Sequence, residues 1–272
     1  LGFRLGPRIN AGGRVGKSSH GAELLISDDL KKIYQIALDL EKSNKERQSI
    51  ELMLSEHINL EVKNYHNHPV LVLSGNNWHE GVIGIVASRI KERYNKPTIL
   101  ISVNQDTAKG SARSVLGFDI GSQIIKAVQS GILLKGGGHK MAGGFTLKKE
   151  NISKFKNFLI KNFEKSNANT SNNINLYLDS KIAASALNEE FFDEINCLAP
   201  FGSGNSEPKF VIENIKVIST NIVGNNHIKS ILSGKDGSVF KGFVWNGKNS
   251  LLEPFFEKKS KKLVNIVGKI RL

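Results

Sequence analysis

The sequence predicts three parts: a long helix, a compact α/β domain of roughly one hundred residues, and a β-rich domain behind a polar linker. Three observations carry this reading. No glycine occurs from Ala22 to Ser74, and no proline between Pro7 and Pro69. Past that point, short apolar runs alternate with helical patterns and glycines. "SNANTSNN", residues 166–173, is a low-complexity polar linker, and the chain after it is dominated by short strand-like runs.

Residues 1–21 hold six glycines and read as loop and turn. "SDDLKKIYQIALDL" opens the long helix with a Ser-Asp cap and an acidic first turn. Leu30, Ile33, Ile36, Ala37 and Leu40 keep a helical period, and Ile50, Met53, Leu54 and Ile58 resume it after the wholly polar "EKSNKERQS" of residues 41–49. A helix that is apolar at both ends and polar in the middle suits a connector crossing solvent between two domains. "HPVLVLSG" is a short buried strand, "EGVIGIVASRIKERYN" a helix and "KPTILISV" a second strand, a unit of parallel-sheet type. "GSARSV" is short and polar, "FDIGSQIIKAVQSG" a helix with Asp119 near its start, and "GGFTLK" a strand. A helix bearing Ile152, Phe155, Phe158, Leu159 and Phe163 on one face closes the α/β domain. Beyond the linker, "NLYLDS", "KFVIENIKVIST", "HIKSILSG", "GSVFKGFVW" and "KLVNIVGKI" read as strands around the helix "ASALNEEFFDEINCL". Their spacing suits a small barrel or sandwich, of which a single-strand-binding OB-fold is one form.

The chain has 272 residues, a net charge of +13 and a pI near 9.7, a balance that suits a polyanionic partner, above all nucleic acid. Residues 69–165 carry 15 Lys+Arg against 6 Asp+Glu and so hold most of the excess. No apolar run is long enough for a membrane span, and no signal peptide opens the chain. The single cysteine, Cys197 in "INCLAP", reads as a core residue in a reducing cytoplasm. The chain starts on Leu1 and ends on "LVNIVGKIRL", a strand that stops without a turn, so it reads as a fragment of something longer.

The residues hold no complete catalytic constellation. Among seven histidines the only close pair is His66 and His68, without carboxylates or cysteines nearby, and no Asp-x-Asp, His-Glu-x-x-His or Walker loop occurs. Anion-binding chemistry is abundant instead. "GPRINAGGRVGKSSHG" sets Arg8, Arg14 and Lys17 among glycines. In "KGSARS", Ser111 and Arg113 stand at i and i+2 and face one side of an extended segment, where a hydroxyl and a forked guanidinium suit a phosphate. In "LLKGGGHKMAGGFTL", Gly136, Gly137 and Gly138 allow a close backbone approach to phosphate or sugar, and His139 offers a hydrogen bond or proton transfer.

"GPRINAGGR", "WHEGVIGIVASRI", "KGSARSVLGFDIG", "LLKGGGHKMAGG" and "LAPFGSGNSEP" follow one another in an order that resembles the RecJ family of DHH phosphoesterases. That resemblance implies a DHH-associated α/β domain joined by the long helix to the end of a DHH domain and followed by a β-rich OB-fold domain. It divides the chain at residues 1–27 (end of the catalytic DHH domain), 28–68 (connecting helix), 69–165 (DHH-associated domain) and 174–272 (OB-fold domain, truncated at its end). The implied activity is single-stranded-DNA-specific 5′-to-3′ exonuclease action in DNA repair and recombination. Mn²⁺ or Mg²⁺ would be bound by a part of the DHH domain absent here, and no residue of this chain is a metal ligand. The fragment alone is expected to bind but not hydrolyse. Single-stranded DNA is the implied partner in the cytoplasm, with a single-strand-binding protein and a helicase as further partners and no membrane. Ser111 and Arg113 resemble contacts to the 5′ phosphate, assisted by Arg8 or Arg14, with Asn10, Ser114 and Gly136–Gly138 also on the nucleic acid. His139 would support catalysis from the cleft wall. Trp78 is open to two readings, base stacking or packing at a strand end. Gly12 and Gly143 stand where the family usually has alanine, and Ser206 where it often has proline. Two other readings stay open: a DHH phosphodiesterase acting on short oligonucleotides or cyclic dinucleotides, and a non-catalytic single-strand-binding module.

Overall fold

The computed structural model describes residues 2, 4–65, 67–166, 176–202, 204–224, 226–248, 250–256 and 263–271. The chain forms two compact units, Leu1–Ser171 and Asn172–Leu272, with separate cores. The predicted linker 166–173 lies, apart from Ser166, outside the described residues, as does His66 of the histidine pair. Among the described residues no helix is long and apolar enough to cross a membrane.

The first unit begins with two helices where loop and turn were expected, α1 (Leu5–Val15) and α2 (His20–Ile26). Three of the glycines there, Gly12, Gly16 and Gly21, serve close packing. A Cβ on Gly12 would lie 2.9 Å from Leu40 Cδ2 and 3.0 Å from the Lys17 carbonyl, and one on Gly21 would lie 2.8 Å from Ile9 Cγ2. The long helix α3 (Leu30–Val62) is capped by Asp29, whose carboxylate accepts from the Lys31 and Lys32 amides, so the expected Ser-Asp cap shifts along the chain and the first turn holds no acidic residue. Its polar middle is exposed on one side and packed on the other. Arg8 of α1 pairs with Glu41 at 2.5 Å, and Asn44 and Glu51 are buried. Glu51 is held by Arg47 on its own helix and by Arg89 at 2.5 Å. A polar stretch that buries its charges in pairs looks the same in sequence as a solvated one.

The sheet of this unit runs β1 (Leu71–Asn76), β2 (Thr98–Asn104), β3 (Thr107–Arg113), β5 (Ala142–Lys148), β4 (Lys135–His139) in spatial order. β1 and β2 are parallel, joined through α4 (Glu80–Tyr94) as expected, and the remaining pairs are antiparallel. "GSARSV" is therefore no mere connection, because Gly110–Arg113 form the second half of the central strand. Leu71, Leu73 and Leu100 face α3 and α4, while Val72, Ile99 and Ile101 face α5 (Ile120–Gln129) and α6 (Ile152–Lys165). Burial on both faces explains why these strands read as continuous apolar runs. Asp119 caps α5 by accepting from the Ser122 amide, and that backbone hydrogen bond is the main cause of its lowered pKa.

In the second unit the predicted strand "NLYLDS" shrinks to β6 (Ser180–Lys181), and the predicted helix to a 3-10 turn followed by α7 (Glu189–Asn196). Cys197 caps the end of α7 and is exposed, not core, because the inward side of this short helix is spent on Ile195. The remaining strands are β7 (Phe210–Val223), β8 (His227–Ser233), β9 (Val239–Val244) and β10 (Val264–Gly268). β7 serves two neighbours. Its first half pairs with β10 and its second half with β8, and a register shift between Val217 and Ser219 bends it. Ala184, Ile212, Ile215, Val217, Ile228, Leu232 and Phe256 fill the resulting half-barrel. Asp236, in the turn before β9, accepts from the Ser185 and Ser238 amides, which lowers its pKa to about 2.

Candidate nucleic-acid interface

Ser111 and Arg113 do face the same side, toward α4. Their seat is cut by a glycine. A Cβ on Gly84 would lie 2.9 Å from Ser111 Oγ and 3.0 Å from Arg113 Nη2. One helical turn on, Ser88 Oγ accepts from Arg113 Nε at 3.0 Å and donates to the Gly84 carbonyl at 3.2 Å. Arg113 Nη1 donates to Ser111 Oγ at 3.1 Å and to the Ala112 carbonyl at 2.8 Å. Among the described residues no carboxylate pairs with this guanidinium. Burial and the charge of Arg14 lower its pKa, yet an arginine stays protonated. A half-buried cation held by neutral oxygens and facing a second cation gains from any anion placed beside it.

The two arginines left undecided by sequence are separated here. Arg8 is engaged, with Nε on Glu41 at 2.5 Å and Nη1 on the Arg4 carbonyl at 2.6 Å. Arg14, exposed at the end of α1, donates Nη1 to the Gly81 carbonyl at 3.0 Å and is the cation felt by Arg113. Its own carbonyl occupies the place a Cβ on Gly81 would take, so α1 and α4 meet through a glycine. Asn10 is exposed one turn before Arg14 on α1. Ser114 does not join this surface. It is fully buried, and its Oγ donates to the Phe118 carbonyl at 2.6 Å, so it closes the loop after β3.

Strand register turns these residues into a pattern. Across β3, β5 and β4 run three rows: Arg113–Ala142–His139, Ser111–Gly144–Gly137 and Lys109–Thr146–Lys135. The middle row is nearly bare, since a Cβ on Gly137 would meet nothing within 4 Å. Gly136 and Gly138 point the other way. A Cβ on Gly136 would lie 2.7 Å from Ile124 Cγ2 and 2.8 Å from Phe145 Cβ, and one on Gly138 would strike the Ala142 carbonyl. The three glycines thus have two causes, a smooth outer face and a hairpin pressed on α5. Gly143 also has no room for a Cβ, since Ile124 and the Gly137 carbonyl, at 2.9 Å, stand in the way. His139 is exposed, and its Nδ1 accepts from the Met141 amide at 3.3 Å, which turns Nε2 outward as the free donor of the neutral ring.

A groove of about 470 Å³ lies over this face, lined by Glu80, Lys109, Ser111, Lys135, Gly144 and Thr146 among others. A second, of about 660 Å³, is lined by Arg14, Trp78, His79 and Glu80 among others. The Trp78 ring lies against Gly75 and the core beneath α4, which favours its packing role. Among the described residues no three His, Cys, Asp or Glu side chains gather in one place. Gly84, Ser88, Lys135 and Thr146 were missed from sequence. The Gly-x-x-x-Ser spacing in "GIVAS" marks one helix face, but only the fold shows what that face covers.

Residues 67–165 match the DHHA1 domain and residues 178–272 the RecJ OB domain. The single-stranded-DNA-specific exonuclease RecJ of Haemophilus influenzae is 32% identical over 97% of this chain, which spans 47% of that relative. The chain belongs to the RecJ family. A crystal structure of RecJ with Mn²⁺ from Thermus thermophilus superposes with a TM-score of 0.71, at 26% identity, over 90% of this chain and 39% of that one. A structure of exonuclease RecJ bound to manganese is 30% identical with a TM-score of 0.52, over 60% and 40% of the two chains. In this RecJ-family chain the α/β unit contains the DHHA1 domain, and the half-barrel is the OB-fold. On the OB unit, Ile228, Ser230 and Leu232 of β8 face inward, and His227, Lys229 and Ile231 outward. Beside them Phe243 (47% exposed) and Trp245 (74% exposed) pack edge-to-face at 4.7 Å, with His227 4.8 Å from the tryptophan. Lys229 stands opposite Phe243, and Lys241 opposite Ile231.

Proposed function

We propose that this chain is the nucleic-acid-binding part of a cytoplasmic single-stranded-DNA-specific 5′-to-3′ exonuclease of DNA repair and recombination, hydrolysing phosphodiesters with Mn²⁺ or Mg²⁺. Residues 1–27 are assigned to the end of the DHH domain, and the metal to parts of that domain outside these 272 residues. The observation that carries the reading is Arg113, a guanidinium with no carboxylate partner among the described residues, fixed by Ser88 and Ser111 and open to a basic, side-chain-poor sheet face. A terminal 5′ phosphate carries more charge than an internal one and fits a site of one half-buried fork, one hydroxyl and the nearby Arg14. His139 lies in the same row as Arg113 and presents Nε2 to the strand, a hydrogen-bond donor to a phosphate oxygen without a metal of its own. On the OB unit, the exposed Phe243 and Trp245 offer stacking platforms that tolerate any base, with Lys229 and Lys241 beside them for phosphates. Such a face is of no use to an enzyme of cyclic dinucleotides, which favours the longer strand.

Binding of 5′-phosphorylated and 5′-hydroxyl oligothymidylates to this chain tests the end-recognition claim. The phosphorylated strand should bind more tightly, and Arg113→Ala should erase the difference. Equal binding of both ends by the unsubstituted chain contradicts the proposal. In a protein that also carries the metal-bearing domain, His139→Ala should lower turnover far more than affinity, and unchanged turnover would make His139 structural.

A further inference from the structure

The third row, Lys109–Thr146–Lys135, has no part in the end recognition just described, and it lies four residues along β3 from Arg113. Two residues of strand rise about 6.7 Å, so successive rows are separated by about the spacing of neighbouring phosphates on an extended strand. Between the outer rows lies the bare Gly144–Gly137 row, over which a backbone can pass without meeting a side chain. Lys135 lies on the sheet edge, is exposed, and makes no ion pair among the described residues. Thr146, opposite it, adds a hydroxyl on the same face. Lys109 is held at 2.7 Å by Glu80, which cancels part of its charge and leaves Lys135 the stronger cation of the row. All four residues line the 470 Å³ groove.

We infer that this row is an internal phosphate subsite, with Lys135 and Thr146 gripping the strand's backbone two nucleotides inward from the phosphate at Arg113. The inference rests on the reading of the sheet face as the seat of a 5′ end. It makes the face a ruler, in which a strand must reach the third row to bind fully. The test is the affinity of the whole chain for 5′-phosphorylated thymidine dinucleotide and octanucleotide over a range of salt. Lys135→Ala should weaken the octanucleotide by up to about fivefold at low salt and reduce its salt slope by about 0.7, the share of one single-strand phosphate. The dinucleotide should be unaffected, and Lys135→Arg should restore the octanucleotide. Equal losses at both lengths, or no loss at either, would overturn the subsite. Lys135 is exposed on an edge strand, so its loss leaves the core intact. If Arg113→Ala still removes the preference for a 5′ phosphate while Lys135→Ala changes nothing, only this inference fails. If the unsubstituted chain shows no preference for a 5′ phosphate, the underlying function fails with it.

Discussion

The two surfaces proposed to meet a nucleic acid are built on opposite plans. The sheet face of the α/β unit keeps only Ser111 and two glycines in its middle row and holds one guanidinium locked by Ser88, Ser111 and the Ala112 carbonyl. The outward face of the OB unit is crowded with exposed rings and flanked by lysines. On the proposed reading, a locked fork on a bare floor selects one geometry, a terminal phosphate. Exposed rings accept any base and select only for a single strand. Selectivity for the end and tenacity on the strand are therefore separable, and substitutions should separate them.

Arg113→Ala should have the largest effect. The loss of charge-assisted hydrogen bonds, about 1.5–3 kcal/mol, corresponds to a loss of ten- to a hundredfold in affinity for 5′-phosphorylated strands and little for 5′-hydroxyl ones. The double change Phe243→Ala with Trp245→Ala should weaken both ends alike, by about tenfold or more, since stacking is worth about 1–3 kcal/mol per base. Isothermal titration of both oligonucleotides reads both effects, and unequal losses from the aromatic pair would break the separation. Ser88→Ala, which only positions the guanidinium, should cost about fivefold for the phosphorylated end alone, the worth of one ordinary hydrogen bond of about 1 kcal/mol. The smallest effect concerns the fold of the OB unit. Asp236 is held at about 2 against an ordinary 3.8, so its stabilisation is complete above the ordinary value and is lost as pH falls through about 2. Asp236→Asn should lower the melting temperature of the OB unit at neutral pH and flatten its decline between about pH 4 and 2. An unchanged acid profile would show that the carboxylate contributes nothing there.

The elements around the site were largely legible. The β1–α4–β2 unit, the Asp29 and Asp119 caps and the side shared by Ser111 and Arg113 follow from period and capping chemistry. Glycine misled in two directions. In residues 1–21 it was read as a breaker, whereas Gly12 and Gly21 make helix contacts that exist only once α1, α2 and α3 are assembled. In the triple, only Gly137 belongs to the open face. Ser114 was grouped with its neighbours in "SARS", but the strand ends at Arg113 and the chain turns it inward. Arg8 and Arg14 stand in one glycine-rich block, and only partners on other helices, Glu41 for Arg8 and Gly81 for Arg14, distinguish them. Local chemistry can be read along the chain, but the identity of a partner thirty residues away cannot.

The most direct test of the two-surface account is the ratio of affinities for 5′-phosphorylated and 5′-hydroxyl oligonucleotides, measured for the chain, for Arg113→Ala and for the Phe243→Ala/Trp245→Ala pair. The account predicts a ratio well above one in the unsubstituted chain, a ratio near one in Arg113→Ala, and an undiminished ratio in the aromatic pair despite weaker binding overall. A ratio that survives Arg113→Ala, or one that collapses with the aromatic rings, would contradict it.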